Sequence, residues 1–466
     1  MVIFLPDEIW MQIFLHFNVV LQDNYRDLEP LKTLTALSLV CRRFHHLVQT
    51  PLYRTVVPWG LNEYYFGDHL LLATALASNP HLGFSTREIS LANGNLSIED
   101  NLMDLLGDRI GSLNMSSEFI DLLKRDIIFG RKGSGVASFL LALLPRLRLM
   151  ELYFYKETSL TLPYLLGGWL SQNTGEPHTI ANHLHNLQEL RITAAQGQTC
   201  VYIDYFESIL LDPNLGKLGL SGFDWTDGRI MDMEWSDYPC NLRQLNLDKC
   251  IVDASTMRDV LSRRKRLEDF TIVAGNYDIA NYSLYGDWKG DLYEFGDVLR
   301  ELGQNLVRFG LDTSAYQHNR NATGKIGSLQ SLKALTHLSI ARNDFVGAED
   351  NPSAIPLAEA LPTSIEVIDF KTDVIDYQMR QGVYGYEKLH DEMHGLALGG
   401  QFPSLREITL FRPGMPVQHG FEREVPGWDI EDTPWAVGSA FEYEYYTYME
   451  LCMKRRDDGS ERVQNV

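Results

Sequence analysis

A short cassette, apolar-x-x-apolar-x-apolar, recurs through most of this 466-residue chain and narrows its possible architectures more than any other feature. The clearest copy is Leu332-x-x-Leu335-x-x-Leu338-x-Ile340, followed by Asn343 and Phe345. Other copies end on Leu152, Ile192, Leu220, Leu247, Ile272, Leu311, Phe370 and Leu410, with a fainter first copy at Ile89 and Leu91. From Leu152 onward the final anchors succeed one another at steps of about 40, 28, 27, 25, 39, 29, 30 and 40 residues,. Apolar residues two apart predict a strand with one buried face, and the leucines upstream turn the chain into it. Between cassettes, Ile203 to Leu211, Ser255 to Arg264, Leu292 to Leu302 and Ile355 to Leu361 predict return segments packed outside the strands,. One strand with its return cannot bury its own face, whereas stacked neighbours build a continuous core.

Nine or ten such cassettes in register, from roughly Phe84 to Arg412, resemble the leucine-rich-repeat family. The resemblance implies an α/β body, an irregular solenoid with parallel strands on the concave face and helices and loops outside. In that geometry the residues flanking the buried anchors point out from the concave wall. The candidate substrate face is then Arg191, Asn246, Asp248, Asp269, Arg308, Asp312 and Asp369. Its acidic trend, interrupted by Arg191, Arg308 and Lys371, suits a protein substrate of basic or mixed charge. Two long returns, Gly222 to Pro239 with Trp225, Trp235 and Tyr238, and Tyr277 to Leu292 with Tyr282, Tyr285 and Trp288, are aromatic-rich. Recognition and packing against a neighbouring repeat explain them equally well.

The first fifty-six residues have a different pattern. Pro6 stands where a helix tolerates a missing N–H, and Asp7 and Glu8 occupy an electropositive first turn,. Ile9, Ile13 and Phe17 then form one apolar stripe. A second stripe, Leu34, Leu37, Val40 or Cys41, Phe44 and Leu47, reads as one side of a single helix. Two or three short helices cannot bury such stripes among themselves, which predicts docking on something larger. The blocks Leu5-Pro6-Asp7-Glu8-Ile9, Leu37 to Phe44 and Pro51-Leu52-Tyr53-Arg54-Thr55-Val56 together resemble the F-box, with the exit common in its fungal members. That resemblance implies binding of a Skp-type adaptor through Leu5, Pro6, Ile9, Ile13, Phe14, Leu37, Val40, Cys41, Phe44 and Leu47. Through the adaptor it implies cullin and RING subunits of a ubiquitin ligase. Asn18 to Pro30 is about ten residues longer than the motif usually carries, and such insertions cost little,.

Charge and cysteine usage set outer bounds. Sixty-two acidic against 41 basic side chains give a net charge of −21, which argues against nucleic acid as a partner,. Five scattered cysteines, Cys41, Cys200, Cys240, Cys250 and Cys452, form no CxxC pair, which predicts reduced thiols in the cytoplasm or nucleus,. No secretory signal and no membrane segment is expected, since the longest apolar run, Phe139 to Leu144, is far too short,. Motifs for chemistry fall short. His390-Asp391-Glu392-Met393-His394 places aspartate where HExxH needs glutamate; Gly130 to Gly135 lacks the phosphate-loop spacing and reads as a flexible connection; no GxSxG occurs,. His178, His183 and His185 read as exposed loop histidines.

The expected organisation is an F-box at 1–56, a leucine-rich-repeat-like solenoid at 57–419, an aromatic C-terminal cap at 420–453 and a disordered tail at 454–466. The expected function is a non-enzymatic substrate-recognition adaptor, without cofactor, that holds an unknown protein substrate. The alternative is a scaffold that binds the Skp-type adaptor without cullin.

Overall fold

The computed structural model describes residues 5–17, 29–57, 67–93, 102–113, 115–128, 132–154, 161–162, 165, 184–194, 201–202, 214–225, 241–274, 290–313, 324–347, 353–371, 384–413, 424–436 and 447–456. The return predicted at Ile203 to Leu211, the aromatics Trp235, Tyr238, Tyr282, Tyr285 and Trp288, His178, His183, Cys200, Cys240 and residues 457–466 lie outside them. The architecture is a helical N-terminal region followed by a mixed α/β body with a large parallel-rich sheet. No helix among the described residues is long and apolar enough to cross a membrane. Two compact units divide the chain: Met1–Ser221 with Met231–Leu242, and Gly222–Ile230 with Arg243–Val466.

The first unit opens with α1 (Asp7–Leu15), α2 (Glu29–Ser38) and α3 (Arg42–Leu52). The stripe from Leu34 to Leu47 is therefore two helices, not one. Leu39 and Val40 form a turn, and Cys41, in extended backbone, caps α3 by accepting the Phe44 N–H on Sγ at 3.4 Å. The exit then enters the body directly: β1 (Thr55–Val56) leads to α4 (Gly67–Ser78), α5 (Pro80–Ser85) and β2 (Glu88–Asn93). Next come α6 (Leu102–Gly111), α7 (Ser117–Ile128), α8 (Lys132–Ala142), β3 (Leu149–Phe154), β4 (Glu189–Ala194), β5 (Val201–Tyr202) and β6 (Lys217–Ser221). Strands β1, β2, β3, β4 and β6 pair in parallel in that order. The register aligns Ile89, Met150, Leu190 and Leu218 in one row and Leu91, Leu152, Ile192 and Leu220 in the next, all buried.

Helices α7 and α8 approach closely because Gly135 carries no side chain. A Cβ there would stand 2.5 Å from Ile127 Cγ1. The glycine-rich stretch is thus partly helical, with α8 beginning at Lys132. Buried Asp126 on α7 accepts from the Thr161 N–H (3.0 Å) and hydroxyl (2.7 Å), which satisfies an otherwise costly interior carboxylate,.

The second unit contains β7 (Phe223–Asp224), β8 (Gln244–Cys250), α9 (Ala254–Arg263), β9 (Asp269–Ala274), α10 (Leu292–Leu302), β10 (Arg308–Asp312) and β11 (His337–Ala341). It continues through α11 (Arg342–Val346), α12 (Leu357–Ala360), β12 (Val367–Lys371), α13 (Tyr384–Leu398), β13 (Glu407–Pro413), β14 (Trp428–Ala436) and β15 (Thr447–Arg455). Strands β8 to β13 are consecutive and parallel. Their register stacks Leu245, Phe270, Phe309, Leu338, Ile368 and Ile408, and beside them Leu247, Ile272, Leu311, Ile340, Phe370 and Leu410. Every one of these cassette anchors is buried. Asp253 caps α9 by accepting the Thr256 N–H at 2.7 Å, and Asp291 caps α10 by accepting from Tyr293 at 2.9 Å,. Gly296 lets α10 lie against the segment carrying Ile326, whose carbonyl any Cβ would strike.

Trp225, for which recognition and packing explained the sequence equally well, is fully buried, and its carbonyl accepts the Thr256 hydroxyl at 2.6 Å, so this residue packs. The described parts of the C-terminal aromatic stretch form antiparallel sheet: β15 pairs with β13, and β14 with β15. Met453 and Leu451 extend the two anchor rows by pairing with Ile408 and Leu410. β15 therefore runs through Lys454 to Arg455, past the boundary set for a disordered tail, and the Arg455 N–H donates to the Arg406 carbonyl at 2.9 Å.

Candidate functional site

The three N-terminal helices bury part of their apolar surface themselves. Phe14, Leu34 and Val48 form a small core, with Trp10, Phe17, Leu37, Phe44, Leu47 and Leu52 packed around it. The rings of Trp10, Phe14 and Phe44 make an aromatic triangle with centroid separations of 5.7, 4.8 and 5.4 Å,. Arg43 joins α3 to the start of α1 by donating to Asp7 Oδ1 from Nε at 2.7 Å and to the Leu5 carbonyl at 2.8 Å.

This divides the ten residues of the expected adaptor-binding set. Phe14 belongs to the interior, only 1% exposed, so it supports the surface from beneath. Leu37, Phe44 and Leu47 are part-buried against the same core, and Leu5 is likewise part-buried. Pro6 and Cys41 are exposed. The open apolar side chains are Ile9 (40% exposed), Ile13 (37%), Val40 (66%) and, outside the expected set, Leu39 (81%). The sequence signal for Leu39 was the α2–α3 break, which apolar spacing alone conceals. Two adjacent aliphatic side chains held in water gain free energy if something covers them. Chemically, this surface is suited to an apolar partner,.

The second candidate surface is the polar side of the strands. Asn246, Asp248, Asp269, Arg308, Asp312 and Asp369 all lie on the second unit's sheet, at positions alternating with the buried anchors. Arg191 lies on the sheet of the first unit. The acidic trend is reduced by neighbours. Arg308 pairs with Asp269 at 3.8 Å; Asp369 accepts from Lys371 at 2.7 Å and from the Ser339 hydroxyl at 2.9 Å. Glu189 holds Arg191 at 2.6 Å and Lys217 at 3.8 Å. The result is a mixed-charge lattice. Asp248 and Asp312 share one row, on either side of Val273.

His337 on β11 contacts the Thr336 hydroxyl through Nδ1 at 2.7 Å. Burial, then the positive charges of Arg308 and Arg406, push its pKa below the ordinary imidazole value, against the pull of Glu366 and Asp269. The unfolded chain therefore binds the proton more readily, so this contribution is complete above the ordinary imidazole range and is lost as pH falls through it. We expect the unfolding midpoint of the purified chain to drop on acidification through that range, and His337→Gln to flatten the drop. An identical pH profile in the variant would remove His337 as a cause.

The zinc-like frame on α13 is otherwise engaged. Glu392 accepts both Nε (2.9 Å) and Nη2 (2.8 Å) of Arg342, in a largely buried bidentate pair,. Among the described residues, no group of three or more His, Cys, Asp or Glu side chains could hold a metal ion. Cys41 is exposed, whereas Cys250 and Cys452 are buried. Burial, the largest influence, pushes the Cys452 thiol pKa up, making it a poorer nucleophile.

Compared with known proteins, residues 2–58 match the F-box-like family model. The match covers α1 to β1, including the exposed turn at Leu39 and Val40. No curated protein matches the chain.

Proposed function

We propose that this chain is a substrate-recognition adaptor of a Skp–cullin–F-box ubiquitin ligase. The observation that carries the reading is an F-box-like domain at residues 2–58 with its α2–α3 turn exposing Leu39 and Val40. A Skp-type adaptor would cover that turn together with Ile9 and Ile13. The body then acts as a leucine-rich-repeat-like solenoid, a reading supported by parallel strands in register and buried anchors at every cassette. Its polar strand face, including Asp248 and Asp312, would hold a protein substrate of mixed charge in the cytoplasm or nucleus. The chain itself performs no catalysis in this reading; it raises the local concentration of substrate near the partner enzymes.

Capture of the tagged chain from cells of its own source tests the reading. Recovery of a Skp-type adaptor together with cullin is the expected result. Adaptor without cullin would favour a scaffold outside the ligase, and absence of both would overturn the proposal.

A further inference from the structure

Four arginines gather at one edge of the first unit. Arg54 immediately precedes β1, Arg87 precedes β2 and Arg148 precedes β3. The Arg87 N–H donates to the Arg54 carbonyl at 2.9 Å, and the Arg148 N–H to the Arg87 carbonyl at 2.7 Å. The three positions are thus successive rungs, about 4.8 Å apart, of one ladder. Arg146 adds a fourth cation, its guanidinium 5.4 Å from the centroid of the exposed Phe84 ring. Arg87 Nη1 donates to the Phe84 carbonyl at 2.8 Å and the Thr86 carbonyl at 3.1 Å, which ties its head to the backbone of the same segment.

The cluster lacks close ion pairs. Among the described residues none of these four takes part in an ion pair, whereas Arg43, Arg191, Arg258, Arg308, Arg342 and Arg406 each do. Burial and then the repulsion of Arg146, Arg148 and Arg54 push the Arg87 pKa down, so the crowding has an energetic cost. Glu88, the carboxylate on which Arg54 acts, has its own pKa raised by burial, and Thr55 donates its hydroxyl to it at 3.3 Å. In a chain of net charge −21, a row of unpaired cations beside an exposed aromatic ring needs a reason.

We propose that Arg54, Arg87, Arg146 and Arg148 with Phe84 form a docking strip for an extended acidic segment of a partner protein, carrying several carboxylates and an adjacent apolar side chain. The linear spacing of the rungs matches charges distributed along a peptide better than one compact dianion. A long polyanion such as nucleic acid would meet the repulsion of the whole molecule. This strip is separate from the Leu39–Val40 turn and does not depend on the ligase reading.

The test uses the full chain and a short fluorescein-labelled peptide of glutamate and aspartate around one leucine, read by anisotropy at low ionic strength. Arg146→Glu with Arg148→Glu, both exposed positions, is expected to weaken binding at least about tenfold, because charge complementarity becomes repulsion. The melting temperature should stay unchanged. Phe84→Ser should weaken binding of the leucine peptide and leave its leucine-to-serine counterpart unaffected. Absence of binding, or equal binding by the charge-reversed variant, would overturn the proposal. So would tighter binding of an otherwise uncharged peptide with a single phosphoserine, or equal binding of an oligonucleotide of the same charge as the acidic peptide.

Discussion

Replacing Leu39 and Val40 together with aspartate is expected to abolish capture of a Skp-type adaptor while leaving the chain folded. Both side chains stand mostly in water, at 81% and 66% exposure, so their loss removes little packing from the free protein. Surface changes of this kind usually shift stability by less than about 0.5 kcal/mol. In a complex the same positions would be desolvated, and two carboxylates buried against an apolar partner carry a large penalty. A loss of at least about a hundredfold in affinity is the natural scale for removing a central apolar anchor pair. Calorimetric or surface-binding titration with a purified Skp-type adaptor measures it, and circular dichroism checks the fold. Undiminished affinity in the double variant would place the adaptor elsewhere, or remove it.

Much of the body was legible because period two has few alternatives. Every cassette anchor from Leu152 to Leu410 faces the interior, and the return segment expected at Leu292 to Leu302 is the helix α10. What escaped the reading was three-dimensional pairing. The spacing of Leu37, Val40 and Phe44 continues helical rhythm across a break made by a cysteine cap, a residue type rarely used for that purpose,. The acidic trend of the strand face was counted along the sequence, but Arg308 and Lys371 neutralise Asp269 and Asp369 from a neighbouring strand and from two residues along the same strand. The arginine ladder is invisible in one dimension, since Arg54, Arg87 and Arg148 meet only through parallel register. Likewise β15 escaped because its anchors, Leu451 and Met453, lie in a stretch dominated by tyrosines.

Phe14 separates support from contact, and its replacement by alanine carries the largest stability effect we expect. The residue is 1% exposed and packs with Leu34 and Val48 under the rings of Trp10 and Phe44. Removing a buried phenylalanine typically costs about 3–5 kcal/mol through lost transfer energy and the cavity left behind. A helical unit of this size has roughly 0.05–0.15 kcal/mol of stability per residue, a few kcal/mol in all. Phe14→Ala should therefore unfold α1 to α3 locally, raise amide exchange there, and eliminate adaptor capture as a consequence. The buried strand rows from β8 to β13 belong to the second compact unit and should keep their protection,. Phe14→Leu, which leaves a smaller cavity, should retain capture at low temperature. If Phe14→Ala lost capture with amide protection intact, Phe14 would be a direct contact after all, and the adaptor-bound arrangement of these helices would have to differ from the free one.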